Sequence, residues 1–145
     1  MLLCTNTMHK VADQVQSAVS IPLLHLADAT ADAVNRAGLS TVGLLGTSFT
    51  MEQAFYRDRL ASGGLTVLIP PSDDRAEVHR IIYEELCVGV VREESRQVYR
   101  DVITRLVQAG TEGVVLGCTE IELLISAADS PVPLFRTTAY TSKPP

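Results

Sequence analysis

The chain has 145 residues, a formal net charge of −5, and a composition that is 46% apolar and 20% charged. That length supports one domain with a real core, the composition is that of an ordinary globular protein, and acidity without a basic run argues against nucleic acid as a partner. No apolar stretch reaches the length of a membrane span, so no membrane partner is expected. Residues 1–6 lack the basic and long apolar regions of a signal peptide, so none is expected there. The three cysteines are scattered and have no CxxC spacing. Neither a zinc site nor a disulfide framework is expected, and a reducing cytoplasm is the expected compartment.

Residues 1–4 read as the end of an apolar strand. Thr5-Asn6-Thr7 is a cluster of capping residues, and the spacing of Val11, Val15 and Ala18 predicts a helix over residues 8–18. Residues 21–26 read as a second strand with Pro22 at its start, and residues 28–37 as a helix stopped by Gly38. A third strand over residues 41–46 leads through Thr47-Ser48 into a helix that runs to about Leu60. The Ser62-Gly63-Gly64 loop precedes a strand over residues 65–69, and Pro70-Pro71-Ser72-Asp73 caps a helix over residues 74–86. Gly89 marks a join. Residues 93–109 form a long helix, with Val98, Val102 and Leu106 on one stripe and an Asp101–Arg105 pair on its wet face. Val114-Val115-Leu116 is a buried strand, and Gly117-Cys118-Thr119 turns from it into a helix opened by Glu120, with the Thr119 hydroxyl as its cap. Val132-Pro133-Leu134-Phe135 comes last, before a tail ending Lys143-Pro144-Pro145. The alternation predicts an α/β fold, a parallel sheet with helices on both faces. Gly38-Leu39-Ser40 is the expected boundary between two lobes.

Open α/β folds gather their chemistry at the C-terminal ends of parallel strands. Three such ends match one another: Cys4-Thr5-Asn6-Thr7, Gly46-Thr47-Ser48 and Gly117-Cys118-Thr119. Cys118 stands near backbone N–H groups and a helix start, a field that lowers a thiol pKa. The alternative is a small buried hydrophobe. Hydroxyls and N–H groups at helix starts suit a carboxylate, although each Thr or Asn taken singly also suits a cap. A proton-transfer group on either side of such a carboxylate would serve exchange at the adjacent carbon.

Several familiar sites are missing. Gly43-Leu44-Leu45-Gly46 lacks the spacing of a dinucleotide fingerprint, and neither a Walker A loop nor a GxSxG elbow is present. His9, His25 and His79 are not at metal-ligand spacings. His79 reads as solvated and His25 as a satisfied core group, while His9, one turn past Cys4 and Thr5, stays open. Only Lys10 and Lys143 are available for a pyridoxal Schiff base, and neither position suits it.

Cys4-Thr5-Asn6-Thr7-Met8-His9, Gly43-Leu44-Leu45-Gly46-Thr47, Ile82-Tyr83-Glu84-Glu85-Leu86 and Gly117-Cys118-Thr119-Glu120 occur in that order across nearly the whole chain. In these segments the sequence resembles the aspartate/glutamate/hydantoin racemase superfamily, and most of all the broad-specificity amino-acid racemases of bacteria. The resemblance implies an enzyme without pyridoxal phosphate or metal, a small amino-acid substrate, and two groups that remove and return the Cα proton from opposite faces. It also implies two similar flavodoxin-like lobes with the site between them, and a homodimer.

Carried over residue by residue, Cys118 matches the second catalytic cysteine of the family. Thr5 stands where the first cysteine is usual, and Cys4 lies one place earlier. Because Thr5 immediately precedes Asn6-Thr7, as the first cysteine does in the family, the resemblance gives the role to Thr5. Neighbours on an extended strand face opposite ways, so only one of the two is expected to face the cleft. Asn6, Thr7, Thr47 and Thr119 match the positions that hold the α-carboxylate and α-amino groups. Cys87 falls where aspartate-specific members carry a lysine, which leaves no reason for strict aspartate specificity. The same resemblance implies that β–α units before Leu2 and a final helix are lacking. Residues 1–38 then read as the remnant of a first lobe, residues 39–130 as a complete second lobe, and residues 131–145 as a segment returning toward the first. Impaired turnover and self-association through an exposed first strand are expected. The alternative is a non-catalytic module that binds carboxylates or is purely structural.

Overall fold

The computed structural model describes residues 1–140. Four strands form one wholly parallel sheet in the order β2-β1-β3-β4: β1 (Thr41–Leu45), β2 (Thr66–Leu68), β3 (Gly113–Leu116) and β4 (Leu134–Arg136). The helices are α1 (Ala12–Ala18), α2 (Leu26–Arg36), α3 (Ser48–Glu52), α4 (Ala54–Ser62), α5 (Ser72–Glu84), α6 (Glu93–Gln108) and α7 (Ile121–Leu124). Short 3₁₀ turns occupy Thr7–Val11, Leu86–Val88, Ala127–Asp129 and Thr137–Tyr140.

The two central strands read as continuous apolar runs because they are buried on both faces. Val114 and Leu116 of β3, with Leu45 of β1, face a core built from Val78 and Ile82 of α5, Tyr99 and Val102 of α6, and Ile121 of α7. Val115, Val42 and Leu44 face the opposite core, with Ala31 and Val34 of α2 and Tyr56 and Leu60 of α4. Leu116 is fully buried directly below the strand end that carries Cys118. Leu116→Ala should therefore destabilise the fold by about 2–5 kcal/mol, measured as a lower urea midpoint with an unchanged slope.

The α/β architecture matches the expectation from sequence, and the differences are local. The strands expected over residues 1–4 and 21–26 do not form. They meet in a single parallel bridge, Leu2–Leu24, and both leucines are exposed. Two apolar runs with no third strand beside them gain too little from pairing to build a ladder. The helix expected over residues 8–18 splits into the Thr7–Val11 turn and α1. The one expected from Thr47 to Leu60 breaks at Gln53, whose backbone is extended (φ −77°, ψ 143°). The break has a packing cause: Met51 of α3 joins the core on one face of the sheet, whereas Tyr56 and Leu60 of α4 join the core on the other. One straight helix cannot serve both faces. Residues of α2 share that second core, and β4 pairs with β3 in the same sheet. Lys143-Pro144-Pro145 lies outside the described residues.

Candidate active site

The ends of β1 and β3 lie side by side. The Gly117 N–H donates to the Leu45 carbonyl at 2.6 Å. A Cβ on Gly117 would stand 3.0 Å from both that carbonyl oxygen and Thr50 Cγ2. Bare backbone is what allows the two strand-end loops to approach this closely. Above them opens a cleft of about 270 Å³. Thr5, Asn6 and Thr7 line it from the N-terminal segment, Thr47 from the end of β1, and Cys118 and Thr119 from the end of β3. All six residues singled out from the sequence are thus brought together.

Cys4 lines the same cleft as Thr5. The expectation that only one of them faces it rested on an extended strand, and that strand is not formed. Sequence reasoning gave no site role to Ile82, Tyr83 or Glu120, which also line the cleft, along with Cys87. All three cysteines of the chain therefore border one cavity, as free thiols. The spacing of α5 was visible in the sequence, but not its rotation about its axis, which decides that Ile82 and Tyr83 face the cleft.

Capping explains Thr47, whose Oγ1 accepts the Thr50 N–H at 3.4 Å. It does not explain Asn6 or Thr119. Asn6 makes no side-chain cap bond; its Nδ2 donates to Thr137 Oγ1 at 2.9 Å. Its buried Oδ1 has no partner among the described residues. The Thr119 hydroxyl, expected to cap the following helix, donates instead to Glu120 Oε2 at 2.8 Å. That helix starts at Ile121, one residue later than expected.

Glu120 governs the electrostatics of the cleft. Its Oε2 also accepts the Cys118 thiol at 2.9 Å. Burial, reinforced by the bond to this carboxylate, pushes the Cys118 thiol up to about 12. The sequence-based expectation was a lowered pKa. It fails because α7 spans only four residues and offers a weak dipole, while desolvation and an adjacent negative charge both disfavour the thiolate. The Glu120 carboxyl is held below its ordinary value, first by the hydrogen bond from Cys118. At neutral pH the pair is a thiol bonded to a carboxylate, so Glu120 is placed to receive the proton if sulfur is to act as a base.

His79 is not simply solvated. Its Nδ1 accepts the Ser48 N–H at 3.0 Å, and its ring lies 4.7 Å from that of Tyr83. Among the described residues no group of three or more His, Cys, Asp or Glu side chains is placed to hold a metal ion. None of the described helices is long and apolar enough to cross a membrane.

The fold recurs in solved structures. The chain is 54% identical to a candidate Asp/Glu racemase from Yersinia pestis, with a TM-score of 0.92, covering 96% of this chain and 61% of that one. It is 36% identical to an aspartate racemase homologue from Pyrococcus horikoshii OT3, with a TM-score of 0.85 and the same coverage. It also shares 31% identity over 103 residues with an uncharacterised protein of the pnlA 3′ region of Pectobacterium carotovorum subsp. carotovorum, covering 71% of this chain and 67% of the relative. The chain thus spans about three fifths of the length of the two solved chains. Residues 1–142 match the model of the Asp/Glu/hydantoin racemases, and the chain belongs to that family.

Proposed function

We propose that this protein racemises small amino acids of the aspartate/glutamate type without a cofactor, with Cys118 and Thr5 as the two proton-transfer groups. The observation that carries the proposal is the Cys118–Glu120 pair opening into the cleft that Thr5, Asn6 and Thr47 also line. In one direction, Glu120 takes the thiol proton and the Cys118 sulfur takes the Cα proton. The electron pair left at Cα delocalises into the α-carboxylate, which the hydroxyls of Thr7 and Thr47 would hold, joined by that of Thr119 once Glu120 is protonated and its bond from Thr119 is given up. The Thr5 hydroxyl then gives a proton to the other face of Cα. Glu120 releases the proton it took to solvent and the Thr5 oxygen takes one from solvent, which restores both groups. The unpartnered Asn6 Oδ1 would accept from the α-ammonium group. Leaving such an acceptor buried and unpaired costs about 1–3 kcal/mol, which a bound donor would offset.

A hydroxyl is a far weaker acid than a thiol, so the Thr5 side is the slow one. The wall formed by Ile82, Tyr83 and Cys87 carries no positive charge, so these residues supply no preference for an acidic side chain. Three free cysteines fit a reducing cytoplasm. The exposed Met1, Leu2, Ile21 and Leu24 favour self-association as a homodimer. In this reading residues 1–38 are the remnant of a first lobe, residues 39–130 are a second lobe whose core α2 helps to fill and whose sheet β4 extends, and residues 131–140 return toward the first.

The test is α-proton exchange in D₂O, followed by NMR, with both enantiomers of aspartate, glutamate, serine and alanine. Loss of the α-proton signal that disappears in Cys118→Ser is the expected result. Binding without exchange would favour the carboxylate-binding module and overturn the enzymatic reading.

A further inference from the structure

His9 and His25 form a buried imidazole pair beside the cleft, and the proton-transfer scheme uses neither. Both are nearly inaccessible, and their rings meet edge to face with centroids 4.3 Å apart. His9 lies in the Thr7–Val11 turn and His25 caps α2. The His9 Nδ1 lies 2.8 Å from the Thr5 carbonyl oxygen, and its Nε2 accepts the Leu26 N–H at 3.2 Å. Those two contacts fix the tautomer: Nδ1 carries the proton and donates to Thr5, and Nε2 is bare. The His25 Nδ1 is likewise bare, since it accepts the Ala27 N–H at 3.2 Å. A single ring thus ties the Thr5 backbone to the first turn of α2, which is anchored in the core through Ala27, Ala31 and Val34.

We propose that His9 is a positioning residue for Thr5, and that with His25 it forms a proton-sensitive clamp whose protonation releases the Thr5–Thr7 wall of the cleft. A ring protonated at both nitrogens cannot accept an N–H bond. Protonating His25 forfeits the Ala27 bond, protonating His9 forfeits the Leu26 bond, and two imidazolium rings at this separation repel.

The charged neighbours are Asp28 of α2, Arg59 of α4 and Asp13 of α1. Asp28 is already engaged by Arg59 through two bonds of 2.7 and 2.8 Å. Burial lowers both histidines. The carbonyls of Thr5 and Leu24 and the Asp28 charge favour the His9 cation but do not reverse this. For His25, whose value falls from 6.5 to about 4, the charges of His9 and Arg59 add to burial. Across that window the unfolded chain binds protons that the folded chain refuses. The stability contributed by the neutral pair is therefore complete above 6.5 and is lost as pH falls toward 4.

The proposal rests on the racemase reading for its rate readout alone. The test uses the full chain and the variants His9→Asn and His9→Phe. Asn can still donate to the Thr5 carbonyl but does not titrate; Phe keeps the ring and loses the bond. Each is followed by NMR and by α-proton exchange from about pH 8 to about pH 4. In the wild type the Thr5, Leu26 and Ala27 amide signals should move together with the two imidazole signals, and kcat should fall on the same acid limb. His9→Asn should keep most of the neutral-pH rate and lose that limb. His9→Phe should lose about tenfold or more in kcat at every pH. Rings that titrate like free histidine while the three amides stay still would overturn the clamp. An identical pH profile in wild type and His9→Asn would overturn the positioning role. If no sample exchanges the α-proton, the racemase reading fails, and the amide titration still decides the clamp.

Discussion

Cys118→Ser should lower α-proton exchange by about 100- to 10,000-fold, while Cys87→Ser should leave it nearly unchanged. The sulfur of Cys118 is the one thiol in the cleft bonded to a carboxylate, at 2.9 Å. A serine oxygen in its place would keep the bond to Glu120 but is far less acidic than a thiol, so Glu120 is a much poorer match for its proton. Cys87 is exposed, and the negative charge of Glu120 adds to the burial that raises its thiol. Equal losses in the two variants would indicate damage to the fold, and circular dichroism would detect it. Because Cys4 shares the cleft with Thr5, the same comparison belongs at the other wall: Thr5→Ala should abolish two-way exchange and Cys4→Ala should not. The reverse result would move the second proton-transfer role to Cys4.

Glu120→Gln should reduce exchange at neutral pH by about 100-fold and should change the shape of the pH profile. Its carboxylate disfavours the Cys118 thiolate and also accepts the thiol proton. Removing it should lower the thiol pKa from about 12, because desolvation then acts without the adjacent charge. Thiolate absorbance in the ultraviolet would follow this shift directly. The proton would then have to leave to solvent, so the rate in the variant should climb with pH and partly recover in alkali. A purely structural role for Glu120 would instead give a loss that is constant with pH. In the wild type Glu120 lies below its ordinary 4.5. It stays ionised until the pH falls past that value, so an acid limb at higher pH belongs to other groups.

The sheet was legible because β1 and β3 are apolar on consecutive residues, a pattern that only burial on both faces supports. The same signature misled at residues 1–4 and 21–26, where apolar runs have no third strand to pair with and end in one bridge. The break at Gln53 was invisible, since it answers to two cores that exist only once the sheet has formed. At the site, the hydroxyl-rich runs around Thr5, Thr47 and Thr119 all line one cleft, although the first of them does not end a strand. The state of Cys118 did not follow from its place at a turn. Desolvation and the direction of one glutamate side chain decide it, and both depend on tertiary packing.

The strand order β2-β1-β3-β4 has a consequence for how the chain assembles. β1 pairs on one side with β2, which follows after a short excursion through α3 and α4. On its other side it waits for β3, which emerges only after α5 and α6 have been made. Contacts between segments so distant in sequence are costly to close and slow a fold. Until Gly113–Leu116 is synthesised, the inner edge of β1 is an open template for foreign strands. The loop that ends β3 both completes the cleft and seals that edge, so the last chemistry to arrive is also the step that protects the nascent chain.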